Sequence, residues 1–153
     1  MEALTEVAVR AGERVKATGD DAQADTANLN VGMITLHIAV IMDERLGQAE
    51  KAIALYEASI REGANALDAL YGLETLYAET ENWSQLVHTY KRLAPLTKGQ
   101  AEGATLRRNC AMVLADALGD VDGAVAIYEA LLEEDPNDEA SSEALQALKQ
   151  RES

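Results

Sequence analysis

Phenylalanine is absent from this 153-residue chain, tryptophan occurs once, and aromatic residues make up only 4% of it. A β-sandwich needs aromatic and β-branched side chains on its pleated faces, so that class is disfavoured, and the plentiful Ala, Leu and Glu point to close-packed helices. Cations are scarce too: 13 Lys and Arg stand against 27 Asp and Glu, a formal charge of -14. Phosphate binding draws its free energy from Lys and Arg that release counterions, so nucleic acid and anionic membranes are poor ligands for such a chain. The one cysteine, Cys110, cannot close an internal disulfide; nothing requires an oxidising compartment, and a cytoplasmic location is expected. Long apolar runs are missing as well. The best, Ile34 to Met42, is broken by Thr35 and His37 and is far shorter than the roughly 20 residues of a spanning helix. Glu2, Glu6 and Glu13 replace the basic start and apolar core of a signal peptide.

What the chain does have is enough apolar content, 48%, to bury a core, and a helical beat in its placement. Leu70, Leu73 and Tyr77 fall three to four apart across residues 65 to 80, the stripe of an amphipathic helix. Asn82 offers an N-cap, with Gln85 in capping-box position, before a second stripe of Leu86, Val87, Tyr90 and Leu93. About two residues join these helices, so they fold back antiparallel. The arrangement recurs with Gly47 and Gly119 at the joints, residues 28 to 46 preceding 48 to 62 and residues 100 to 118 preceding 121 to 134. Leu118-Gly119-Asp120 reads as a helix end, the glycine left-handed and Asp120 capping the helix that begins at 121. Pro136 stops that helix, and Asn137, Asp138 and Glu139 open a last one running to about Arg151. Tyr56, Tyr90 and Tyr128 mark equivalent places, 34 and then 38 residues apart, a period typical of repeat arrays.

These residues resemble the tetratricopeptide repeat, a 34-residue helix-turn-helix unit. Gly119, Ala124, Tyr128, Leu132 and Pro136 match its second helix; Leu70, Leu73 and Tyr77 match its first; Gly47, Ala52, Tyr56 and Ile60 match again, with Leu36, Ala39 and Val40 as looser counterparts. The resemblance implies an all-α, right-handed α-solenoid of antiparallel helix pairs: about three repeats, at 28–64, 65–99 and 100–136, with a terminal helix at each end. Residues 1–27 would be a second-of-pair helix over Ala3 to Val15 and a polar connection from Lys16 to Ala27, the remnant of a preceding repeat in a longer array. Residues 137–153 would form a C-terminal capping helix. Arg108 and Met112 occupy the bulky and small positions of the third unit, against the family pattern. The four extra residues between Tyr90 and Tyr128 predict an added turn or a longer connection around Pro95 to Gln100.

Few residues invite chemistry. His37 and His88 have no second ligand at the four-residue spacing of zinc helices. Cys110 has Arg107 and Arg108 near it in sequence, which could lower its pKa, but no base or oxyanion donor is visible and a packed thiol is the expectation. Asp120-Val121-Asp122-Gly123 opens like a calcium loop but meets Leu131 where the closing Glu belongs, and the acidic run Glu133 to Glu139 suits a helix joint. Asn82-Trp83-Ser84 fits a glycosylation acceptor, which has no force without a secretion signal. Trp83 is expected to wedge between helix pairs.

No cofactor, metal or catalytic residue is expected. The resemblance implies instead a concave groove lined by first helices: Ile34, His37, Ile41, Glu44 and Arg45; Asp68, Tyr71, Thr75 and Glu79; Leu106, Asn109, Val113 and Asp116. Apolar with acidic flanks, this surface suits a protein segment with apolar anchors and basic flanks, and lacks the Lys and Asn set of chaperone-tail receptors. The expected function is a non-catalytic protein-protein interaction scaffold or adaptor in a larger bacterial assembly or regulatory protein, with a small GTPase, motility or secretion component among possible partners. A sensor enclosing a peptide or small ligand, and a self-assembly module using exposed terminal helices, are the alternatives.

Overall fold

A computed structural model describes residues 21–44, 47–62 and 66–151, with side chains from residue 31 onward except at 43 and 44. Among them there are seven helices and no strand: α1 (Asp21–Glu44), α2 (Ala49–Arg61), α3 (Ala66–Glu79), α4 (Trp83–Leu96), α5 (Ala101–Asp116), α6 (Val121–Glu134) and α7 (Glu139–Arg151). The described residues are all-α, as composition and periodicity predict. The expected helix over Ala3 to Val15 lies outside the described residues. Contacts divide the chain into two compact units, residues 1–76 and 77–153.

In the first unit α1 packs on α2. α1 starts at Asp21, so residues 21–27 are helical, where a polar connection is expected from the sequence. Ala22, Ala24 and Ala27 are strong helix formers, and Asp21 is an acidic residue at the N-terminus of the helix, where the dipole favours one. Val31, Thr35, Ala39 and Met42 form the buried side of α1. The Thr35 hydroxyl donates to the Glu62 carboxylate, 2.7 Å away, at the far end of α2. On α2, Ala52, Tyr56 and Ser59 are buried; Ser59 donates to the Tyr56 carbonyl at 2.8 Å, which satisfies its hydroxyl inside the core. The buried residue there is Ser59 and not Ile60, and in α6 it is Leu131 and not Leu132.

In the second unit α4 packs on α5, α5 on α6 and α6 on α7. Leu86, Val87, Tyr90 and Leu93 are buried on α4; Leu106, Cys110, Ala111 and Leu114 on α5; Ala124, Tyr128 and Leu131 on α6; Ser141 and Leu148 on α7. Residues 101–134 pack although they depart from the family pattern. Arg108 leaves the core to pair with Asp138 at 2.7 Å, Met112 is 53% exposed, and Ala111, one position away, takes the fully buried place. The four extra residues are not concentrated around Pro95 to Gln100. α4 runs through Pro95 to Leu96, six residues past Tyr90 where α2 runs five past Tyr56; α5 has 16 residues against 14 in α3; and the joint at 117–120 is one longer than that at 80–82.

Three joints share one backbone device. Gly47, Glu81 and Gly119 take positive φ values of 57, 53 and 69°, and the amide after each donates back to the helix just ended: Gln48 to Met42, Asn82 to Tyr77 and Asp120 to Leu114. A new helix then starts two residues past the joint residue, and the buried tyrosine follows nine residues past it. Asp120 caps α6 by accepting from the Gly123 amide at 2.9 Å, as the sequence predicts. Asn82 occupies the corresponding place but makes no side-chain cap bond; there the Trp83 amide turns back to the Glu81 carbonyl at 3.0 Å. Glu81 is the one non-glycine residue with positive φ among the described residues, a conformation that costs an L-residue roughly 1–2 kcal/mol. Glu81→Gly should therefore raise stability by about 0.5–1 kcal/mol after glycine's extra chain entropy is counted, read as a higher urea midpoint with unchanged helicity.

Candidate functional site

α1 is apolar on two opposite sides. At 100° per residue, Val31, Thr35, Ala39 and Met42 share one face, and all are buried. Met33, Ile34, His37 and Ile41 share the other. Met33, Ile34 and Ile41 are 47, 48 and 44% exposed, and His37 is exposed among them. His37 Nδ1 lies 2.8 Å from the Met33 carbonyl oxygen, so the tautomer protonated at Nδ1 donates back along its own helix. Isolated exposed aliphatic residues are ordinary on proteins; here Met33 and Ile34 share one turn, and Ile41 follows two turns on along the same face with His37 between them.

The other residues of the expected groove are placed variously. Glu44 belongs to α1, with its side chain outside the described residues, and Arg45 lies outside them altogether. In the first unit Asp68 is exposed, Tyr71 half-buried, and Thr75 exposed with its hydroxyl donating to the Tyr71 carbonyl at 3.1 Å. In the second, Glu79 is exposed, Asn109 and Val113 are half-buried, and exposed Asp116 accepts from Arg151 at 2.8 Å. Leu106 is a correction: at 5% exposure it belongs to the core of α5 and lines no surface. The structure thus brings Ile34, His37 and Ile41 together on one face and adds Met33, which the repeat pattern does not single out although it stands four residues before His37.

The second unit contains a cleft of about 330 Å³ between the end of α4 and the start of α5, lined by Thr97, Lys98, Gln100, Gly103 and Arg107 and edged by Glu134. Arg107 already donates to Glu134 at 2.7 Å, which neutralises the cation best placed to hold an anion there. Cys110 is buried in α5, and burial pushes its thiol up from the ordinary value, with Lys91 pulling weakly the other way. The thiol is disfavoured as a nucleophile, and the neighbouring arginines do not reverse this. His88 is exposed. Trp83 is half-buried at the first position of α4. Among the described residues no three His, Cys, Asp or Glu stand together as metal ligands, and no helix is long and apolar enough to cross a membrane.

No family model matches the chain, and comparison with curated proteins finds no match.

Proposed function

We infer that this chain is a non-catalytic interaction scaffold that docks a protein partner, built of helix pairs in the tetratricopeptide manner. In this reading about three pairs stack as a right-handed solenoid with a helix at either end, and the protein serves as an adaptor in a larger bacterial assembly. The recurring left-handed joint, with a buried tyrosine nine residues on, supports the repeat reading. One observation carries the docking function: α1 keeps an aliphatic face in water directly opposite the face it buries. A helix that is apolar all round is ordinarily covered on all sides, and a scaffold leaves one side for its ligand. Burial of Cys110, which pushes its thiol up from the ordinary value, agrees with a role outside catalysis.

The test is crosslinking mass spectrometry on the whole chain after affinity capture, using a carboxylate-reactive linker suited to its 27 acidic residues. A scaffold gives a reproducible protein partner with crosslinks clustered on one surface. Capture of no protein, with a small molecule instead raising the melting temperature, would replace this reading by that of a ligand sensor.

A further inference from the structure

α7 is held to its neighbours by little apolar surface. Its buried side chains are Ser141 and Leu148, with Ala144 and Leu145 half-buried between them, whereas α4 buries Leu86, Val87, Tyr90 and Leu93. The Ser141 hydroxyl turns to Asp138, 2.6 Å away at the start of its own helix, so Leu148 alone is the buried apolar anchor of α7. Charge supplies the rest. At the start of α7 Asp138 accepts from Arg108 of α5 at 2.7 Å; at its end Lys149 meets Glu129 of α6 at 3.2 Å and Arg151 meets Asp116 of α5 at 2.8 Å. All four side chains at the end are more than half exposed, and such pairs hold weakly.

Local stability follows buried apolar contact, so α7 opens more readily than the helices it rests on. Once detached, a helix of 13 residues is marginal in water, and release and melting therefore coincide. Release leaves a strip on α5 and α6 with the Arg108 cation at one end and the Asp116 and Glu129 carboxylates at the other. Tyr128 of α6 belongs to the same neighbourhood: burial leads in raising its phenol above the ordinary value, Asp116 raises it further and Arg108 lowers it. We propose that α7 is a charge-latched strap, which leaves α5 and α6 as a unit while α4, α5 and α6 stay folded, and so controls access to the strip it covers.

The experiment is NMR-detected amide hydrogen exchange on the full chain. The amides from Ser142 to Arg151 should exchange together, at least about tenfold faster than those in the middle of α4 and α5, as a separately opening unit does. Asp116→Arg sets two cations against each other at the Arg151 end. It should speed exchange about threefold or more along the whole of α7, Ala144 and Leu145 included, and leave α4 unchanged. Adding Arg151→Asp restores opposite signs and should return α7 to the parent rate. Leu148→Ala should speed α7 by about 30-fold or more, the usual effect of truncating a buried leucine, with α4 and α5 unaffected. Four results would overturn the proposal: α7 amides as slow as those of α5; fast exchange confined to the Arg151 end, which is fraying; an α7 indifferent to Asp116→Arg; or equal acceleration of α4, α5 and α7 by Leu148→Ala, which would make them one cooperative block. None of these readouts involves a partner, so the scaffold reading stands or falls separately.

Discussion

Gly72→Val should be among the most damaging single substitutions in the first unit, lowering stability by about 3 kcal/mol or more, the upper end of what overpacking a core costs. Glycine in the middle of a helix is itself unfavourable, by about 1 kcal/mol relative to alanine, so its presence in α3 calls for a reason. The reason lies across the helix. The Tyr56 ring packs against the bare backbone at Gly72, and a β-carbon built there would stand 2.6 Å from Cε1 and 2.7 Å from Cε2, and also overlap Cζ. Tyr56 is 4% exposed, so its ring has little room to retreat. Valine adds two further carbons beyond the one that already collides.

Alanine separates the steric argument from valine's poorer helix propensity. Gly72→Ala improves propensity by about 1 kcal/mol, so on a solvated helix it would stabilise. Here it should destabilise by about 1–2 kcal/mol, and combining it with Tyr56→Leu should recover at least about 1 kcal/mol as a coupling energy in urea unfolding. A Gly72→Ala chain as stable as the parent would show that no ring lies on that backbone.

The helices themselves were legible in the sequence because their signals are local. Apolar spacing placed α3 and α4 to within a few residues, Gly119 and Asp120 marked the start of α6, and Pro136 and Asp138 framed the start of α7. Facing was harder. Consecutive helix positions differ by 100°, so Ile60 and Leu132, which match the family pattern, lie on the flank while Ser59 and Leu131, one position earlier, are buried. Ser59 was hidden further because its hydroxyl finds its partner in the Tyr56 carbonyl, a bond that residue type alone does not announce. Among the groove candidates, Ile34, His37 and Ile41 fell on one face because they share a helix and a period, whereas Leu106, carried over from a family pattern, sits in the core. The role of Gly72 depends on Tyr56, sixteen residues away, and the left-handed Glu81 looks in sequence like any surface glutamate.

Loss of the Asp138 carboxylate should be the costliest change at the surface of the second unit. Asp138 sits at the start of α7, where it accepts from the Ser141 hydroxyl at 2.6 Å and the Ser141 amide at 3.2 Å, and Arg108 of α5 donates to it at 2.7 Å. One side chain therefore caps a helix and ties it to another. Losing an N-cap costs about 1 kcal/mol, and losing a hydrogen bond to a charged group about 1.5–3. Arg108 is 27% exposed and keeps Thr105 within reach, so part of the second cost is recovered, and Asp138→Ala should lower stability by about 2–3 kcal/mol. The Ser141 hydroxyl holds the Asp138 carboxyl below its ordinary value; burial opposes it, and the Ser141 amide and the Arg108 guanidinium add to the lowering. Because the folded pKa lies below the unfolded value of about 4, the unfolded chain binds more protons between the two, and stability rises with pH across that interval. The contribution is complete above the unfolded pKa and disappears as pH falls through the folded one. The stability gap between the parent and Asp138→Asn, measured by urea unfolding from pH 7 downward, should thus stay constant to about pH 5 and shrink progressively below pH 4. A gap that persists undiminished in acid would mean that the carboxylate's charge does not contribute to joining α7 to α5.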